Sequence, residues 1–122
     1  MKIRIKGNSL RLRLTKTDVA IFNKEGEYQE KIEFGQKKLC YALKAKLGIQ
    51  DLEADFIEDT ITVYFPEEEK QTWALGNRVG YSNMVSLANN TELFILVEKD
   101  FTCLDNTIED QSDNYPNPKL NP

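Results

Sequence analysis

The chain has 122 residues, of which 40% are hydrophobic and 30% charged, a composition that suits one globular domain and argues against global disorder. It contains no histidine, so chemistry that needs a histidine base or a histidine metal ligand is excluded. No apolar run approaches the roughly 20 residues that span a bilayer, and cations interrupt the N-terminal apolar residues, so neither a membrane segment nor a signal peptide is expected. These features predict a cytoplasmic protein in which Cys40 and Cys103 are free thiols.

The first predicted element is a β-hairpin that folds about Gly7 and Asn8, since a two-residue loop with glycine first is typical of a type II′ turn. In this register the apolar residues of the two strands face each other, and so do most of the cations. One side of the hairpin is therefore apolar. The other side, which we call the basic face, carries Lys2, Arg4, Lys6, Arg11 and Arg13. Because like charges opposite each other destabilise a sheet, we predict that an anion lies near the basic face, either from this chain or from outside.

The rest of the first half predicts one short helix followed by two strands. Thr17 is the predicted N-cap of the helix, which ends before Gly26. Alternating apolar residues predict strands over residues 27–34 and 38–46. Glu30 is an exception to the alternation, because it lies on the apolar side of its strand.

The second half predicts a hairpin over residues 52–65, a helix that Pro66 opens and Gly76 ends, and two further strands over residues 79–87 and 92–101. Trp73, near the end of the helix, is the predicted core anchor. The last strand is the most apolar of all, and we expect it to be central in the sheet.

Together these elements predict an α+β domain over residues 1–101, built as a mostly antiparallel curved sheet or partly closed barrel of seven or eight short strands with two short helices. No internal repeat is expected, since the only symmetry in the sequence is that of the first hairpin. Residues 102–122 are acidic, contain proline and lack periodicity, which predicts an extended C-terminal tail. The tail's carboxylates and amides suit a hard cation, but no EF-hand pattern is present, so a solubilising tail is the favoured interpretation.

The net charge of −4 conceals opposite charges in the two halves. Residues 1–50 contain twelve Lys and Arg against five Asp and Glu, whereas residues 51–122 contain four against fifteen. One interpretation is that the halves neutralise each other on folding, and the candidate counter-ions for the basic face are then Glu30, Glu33, Asp55 and Glu98. The other is that the basic face is kept for an anionic partner.

Two functions follow from these interpretations. In the first, the chain is a small binding or assembly protein with no cofactor, metal or catalytic residue, and its basic face recognises an acidic segment of its own tail, of a second copy in a homo-oligomer, or of a partner. In the second, the basic face binds a small anion or a phosphate ester, with a metal-dependent hydrolase as the enzymatic form. Nucleic acid is disfavoured, because the pI is about 4.9 and the hairpin contains no aromatic residue.

The hydrolase alternative depends on a closed barrel. A barrel lined by charged side chains would resemble the triphosphate-tunnel enzymes, in which cations hold a polyphosphate and carboxylates hold a divalent metal. The N-terminal Glu-x-Glu-x-Lys strand of that family is absent here, because the segment Lys2-Ile3-Arg4-Ile5-Lys6 supplies no carboxylate.

The two ends of the chain resemble a family of small bacterial proteins, a domain of unknown function. The resemblance rests on the opening MKIRIKGNSLRLRLTKTDV and the closing EKDFTCLD…EDQSDNYPNP, and the middle of the chain matches more loosely. It implies a bacterial cytosolic protein with a single domain. It implies no catalytic residue, cofactor or partner.

Overall fold

The computed structural model describes residues 1–101 and 112–116. Within these residues the chain has an α+β fold of eight strands and two α-helices. In chain order the elements are β1 (Lys2–Lys6), β2 (Ser9–Leu14), α1 (Lys16–Glu25), β3 (Glu27–Glu33), β4 (Lys38–Lys46), β5 (Glu53–Ile57), β6 (Thr60–Pro66), α2 (Glu67–Leu75), β7 (Gly80–Ser86) and β8 (Glu92–Lys99).

Across the described ranges, the strands form two four-stranded sheets, with the orders β1-β2-β8-β7 and β3-β4-β6-β5. Each sheet is mixed, because its two central strands are parallel while the outer pairs are antiparallel hairpins. The prediction of a mostly antiparallel sheet is therefore only partly correct, and the sheets do not close into a barrel. The physical reason is that each helix carries the chain from one sheet to the other, so β8 returns beside β2 in the same direction.

The two halves of the chain have the same topology, which the sequence did not predict. Each half runs strand, strand, helix, strand, strand, and exchanging the halves maps the order β1-β2-β8-β7 onto β5-β6-β4-β3. The correspondence extends to the core, because matching positions of the two halves are fully buried: Leu12 and Val63, Leu14 and Phe65, Phe22 and Trp73. The chain is therefore a structural repeat whose matching core residues share only their apolar character.

The predicted register of the first hairpin is confirmed, with Ile5 opposite Leu10 and Arg4 opposite Arg11. Gly7 has a φ of 54°, as the first position of a type II′ turn requires. The equivalent turn of the second half uses Glu58 and Asp59, whose φ values of 51° and 60° are those of a type I′ turn.

Helix α1 begins two residues earlier than predicted. Its N-cap is Thr15 and not Thr17. The Thr15 hydroxyl accepts a hydrogen bond from the Asp18 N–H at 3.3 Å, and the Asp18 carboxylate accepts one from the Thr15 N–H at 3.0 Å. This reciprocal capping box satisfies the backbone N–H groups of Thr15 and Asp18. A cap at Thr17 would leave both without these bonds. At the start of α2, Pro66 is the N-cap residue, and Gly76 ends the helix as predicted.

An aromatic cluster in the core joins α1, β6 and α2. Trp73 is fully buried, which confirms it as a core anchor. Its ring centroid lies 5.1 Å from that of Phe65, and Phe65 makes an edge contact with Phe22 at 5.4 Å. Aromatic contacts of this kind stabilise a core beyond their buried area.

The described part of the tail lies beside α1 and the end of β8. The Asp113 carbonyl accepts a hydrogen bond from the Lys16 N–H at 3.1 Å, and the Asp113 carboxylate accepts one from the Thr17 hydroxyl at 3.0 Å. Tyr115 forms a parallel bridge with Phe101. Four of the tail's carboxylates and amides that suit a cation lie outside the described residues, as does Cys103: Asp105, Asn106, Glu109 and Asp110.

Substitution in the core tests this arrangement. Leu12→Ala should lower the free energy of unfolding by about 2–5 kcal/mol, because Leu12 is fully buried between the sheets. The matched change Leu47→Ala, at an exposed turn, should alter it by less than about 0.5 kcal/mol. Urea denaturation followed by Trp73 fluorescence measures both, and equal effects would contradict the proposed core.

Candidate anion-binding site

The five predicted site residues lie together on the outer face of the first sheet. Residues that are paired across strands share a face, so Lys2 lies beside Arg13, and Arg4 lies beside Arg11. The parallel pairing of β2 with β8 extends these rows to Glu98 and to two apolar residues, Phe94 and Leu96. The fold therefore sets two cationic strands next to a strand whose outer face carries Phe94 and Leu96 between two carboxylates, Glu92 and Glu98.

At the end away from the Gly7-Asn8 turn, the basic face is neutralised from within the chain. Arg13 donates a hydrogen bond from Nε to the Glu98 carboxylate at 2.8 Å, and Arg11 Nε lies 3.7 Å from the same oxygen. Lys2 Nζ lies 3.1 Å from the buried carboxylate of Asp100. Glu98 is thus confirmed as an internal counter-ion, while Asp100 is one that the sequence did not indicate.

The other three predicted counter-ions have different partners. Glu30 binds the Met1 amino group, Glu33 pairs with Lys31, and Asp55 accepts a hydrogen bond from Tyr64. Strand register explains the difference, because all three belong to the second sheet and Glu98 alone comes from a strand that adjoins β2.

At the hairpin end, the basic face borders a groove of about 170 Å³, lined by Arg4, Lys6, Ser9, Leu10, Arg11 and Phe94. Among residues 1–101 and 112–116, no carboxylate lies within ion-pair distance of Arg4 or Lys6. Arg11 reaches Glu98 only at 3.7 Å, and that carboxylate is already bonded to Arg13. The basic face is therefore divided into a neutralised end and an end whose positive charge has no carboxylate partner in the described part of the chain, which we call the cationic groove.

A cluster that sequence reasoning missed lies between the sheets at the start of β1. The Met1 amino group is 2.7 Å from the Asp18 carboxylate and 2.8 Å from that of Glu30, and the Tyr41 hydroxyl donates to the Met1 carbonyl at 3.0 Å. This explains why Glu30 interrupts the apolar side of its strand, which was the one signal for the cluster in the sequence.

The electrostatics of this cluster follow from burial and from its hydrogen bonds. Burial by itself raises the pKa of Asp18, but hydrogen bonds from the Met1 amino group, the Thr15 N–H and the Tyr28 hydroxyl lower that pKa below its ordinary value. Burial and the hydrogen bond to Asp18 raise the pKa of Tyr28. In the second half of the chain, burial and a 2.9 Å hydrogen bond to Glu69 raise the pKa of Tyr81 in the same way. A tyrosine bonded to a carboxylate at the start of the helix is therefore repeated in both halves.

Lys99 is a second group that the sequence did not single out. Its side chain is buried, and burial lowers the pKa of its ammonium group. Nζ donates a hydrogen bond to the Gly76 carbonyl at 2.8 Å and lies 5.2 Å from the centre of the Tyr115 ring. These contacts connect the end of β8 to the end of α2 and to the described part of the tail.

Two other features bear on the candidate site. Over the part of the chain that the structure describes, no group of three or more Asp, Glu, Cys or His is arranged to hold a metal ion. Over the same part, neither helix has the length and apolar character needed to cross a membrane.

The fold and the site define a small two-sheet α+β protein with a basic outer face. The chain belongs to DUF7009, a family of unknown function, whose model matches residues 1–119. This confirms the resemblance to a family of unknown function. Neither a curated protein nor a solved structure matches this chain.

The Asp18 cluster makes the stability of the fold depend on pH. Because the pKa of Asp18 is lower in the folded chain than its ordinary value of 3.8, the stability it contributes is complete above about pH 4 and is lost as the pH falls through the folded pKa. We expect Asp18→Asn to destabilise the fold by roughly 1–3 kcal/mol at neutral pH and by clearly less at low pH. Urea denaturation at pH 7 and pH 3 measures the two differences.

Asp51→Asn serves as the control for this prediction, because Asp51 is exposed in a turn. It should change the free energy of unfolding by less than about 0.5 kcal/mol at both pH values. A penalty for Asp18→Asn that is the same at both pH values would contradict the account.

Proposed function

We propose that this chain is a binding protein that recognises an acidic polypeptide segment through the cationic groove. The observation that supports this most directly is the division of the basic face. Glu98 and Asp100 supply carboxylates to one end, whereas Arg4 and Lys6 have none among the described residues. An anion from another molecule would relieve the repulsion between Arg4 and Arg11, which are directly opposite each other.

The size and surroundings of the groove support a polypeptide over a bound metabolite. At about 170 Å³ it is smaller than the roughly 300–1,000 Å³ typical of small-molecule sites. It accommodates carboxylate groups, and the face continues from it over the apolar side chains of Phe94, Leu96 and Met84. Arginine together with apolar and aromatic side chains is the composition that protein interfaces favour.

A phosphate ester is the second candidate, and one observation favours it. Arg4 and Arg11 lie opposite each other at the groove, and two guanidinium groups suit a phosphate because each can donate two parallel hydrogen bonds. As part of the same proposal, we assign the protein to the bacterial cytoplasm, where acidic protein segments and phosphate esters are both available.

Charge reversal tests the cationic groove. We expect Arg4→Glu/Arg11→Glu to weaken binding of a hexaglutamate peptide by about tenfold or more, because the variant removes two attractive charges and adds two repulsive ones. Isothermal titration calorimetry at low and high salt measures this, and the wild-type affinity should fall with salt.

Lys31→Glu/Lys44→Glu is the matched control, since both residues are exposed on strands of the second sheet and the change in net charge is the same. It should bind hexaglutamate nearly as the wild type does. An equal loss in both variants would show that only net charge matters, and tighter binding of inorganic phosphate than of hexaglutamate would favour the second candidate.

Removal of the internal counter-ion should act in the opposite direction. In Glu98→Gln, Arg11 and Arg13 lose their carboxylate partner, so we expect binding of hexaglutamate to tighten by about two- to fivefold. The cost in stability should stay below about 1 kcal/mol, because Arg13 is 42% exposed and exposed ion pairs contribute little. Unchanged or weaker binding would contradict the competition between Glu98 and an external anion.

A further inference from the structure

The first strand, β1, is an edge strand whose outer backbone side, from Ile3 to Lys6, has no hydrogen-bond partner among the described residues. It pairs only with β2, and no backbone hydrogen bond reaches Ile3 to Lys6 from any other described element. Four of its five residues are exposed. An exposed edge of this kind presents N–H and C=O groups to which another strand can add.

The hairpin geometry determines which of these groups point outward. Lys6 and Ser9 flank a two-residue turn and therefore form a hydrogen-bonded pair, as does every second pair from there. Ile3 and Ile5 occupy the alternate pairs, so their N–H and C=O groups point away from β2. The free edge thus offers donors and acceptors at the two apolar positions of β1.

The two faces of β1 differ in chemistry. On the outer side, Arg4 and Lys6 belong to the cationic groove. On the inner side, Ile5 borders a second groove of about 270 Å³ between the two hairpins, lined mainly by the apolar side chains of Leu10, Ala54, Phe56, Ile61 and Leu93. Ile5 is 61% exposed and Phe56 is 65% exposed, so the mouth of this apolar groove is open.

We infer that an extended segment of a partner protein, in which acidic and apolar residues alternate, binds as an added strand along the edge of β1. Its residues opposite Arg4 and Lys6 lie on the outer face and carry the acidic side chains. Those opposite Ile3 and Ile5 lie on the inner face and place apolar side chains at the open groove. The inference rests on the proposed function, and it adds the conformation and the residue pattern of the acidic segment.

Two peptides of the same composition test the inference, EVEVEVE and EEEEVVV. We expect the alternating peptide to bind about tenfold more tightly, because only alternation satisfies both faces of an added strand. Ile5→Thr should reduce this preference, whereas Ile57→Thr, at an equally exposed position of the other edge hairpin, should leave it intact. Fluorescence anisotropy of the two labelled peptides with the wild type and the two variants measures all six combinations.

Backbone methylation tests strand addition directly. N-methylation of the valines removes the N–H groups that bond an antiparallel neighbour at Ile3 and Ile5, while N-methylation of the glutamates removes those that bond a parallel neighbour. We expect one of the two methylated forms of EVEVEVE to lose binding and the other to keep it. Loss in both forms, or in neither, would overturn strand addition.

The remaining outcomes separate this inference from the proposed function. If both peptides bind equally and Arg4→Glu/Arg11→Glu weakens both, the cationic groove stands and strand addition is wrong. If neither peptide nor hexaglutamate binds, the proposed function is wrong. If the protein alone is a dimer that Ile5→Thr dissociates, the edge belongs to a second copy and the inference of a partner segment is overturned.

Discussion

The crossing of each helix from one sheet to the other is the constraint on which the rest of this structure depends. Helix α1 takes the chain out of the first sheet after β2, and α2 returns it at β7, so β8 lies between β2 and β7 and runs parallel to β2. This one connection places Glu98 beside Arg13. It also leaves β1 at an edge, with its cations outward and its apolar residues above the space between the hairpins. The neutralised end, the cationic groove and the free edge are all consequences of where β8 is inserted.

The repeated topology separates what the fold requires from what it does not. Inside the sheets the two halves agree, since Leu12 and Val63 are both fully buried. On the outer faces of the sheets, the charges of the two halves differ in sign. Lys2 and Arg4 of β1 correspond to Glu53 and Asp55 of β5, which occupies the same place in the second sheet. Because the same topology forms with acidic residues at these positions, the fold itself does not explain the cations of β1.

How much could be predicted from the sequence depended on how far apart the interacting residues are. The register of the first hairpin and the end of α2 at Gly76 follow from neighbouring residues, and both are confirmed. The cap of α1 was misplaced by two residues, because Thr15 and Thr17 are both good caps and only the reciprocal bond with Asp18 decides between them. The parallel pairing of β2 with β8 joins residues far apart in the chain, and no local pattern indicates it.

In the candidate site, too, the features set by neighbouring residues were predictable and those set by distant residues were not. Its five cations were predictable because alternation along a strand fixes which residues share a face. Their counter-ions were not, since Glu30, Asp55 and Glu98 look alike until the strand order is known. Glu30 shows how a local exception can still carry information, because a carboxylate on the buried side of a strand needs a partner, and the Met1 amino group supplies one.

A comparison of charge repulsion with core packing energy indicates that the fold tolerates the cationic groove and does not need it. Arg4 and Lys6 are exposed, and two charges near a protein surface repel each other by only about 1–4 kcal/mol before screening by salt. A single buried leucine such as Leu12 contributes a comparable or larger amount, about 2–5 kcal/mol. The core can therefore carry, at an edge, cations that have no carboxylate partner among the described residues without loss of the fold. It follows that their charge is available to a ligand, because no carboxylate of the described chain must be displaced from Arg4 or Lys6 before an acidic group can bind.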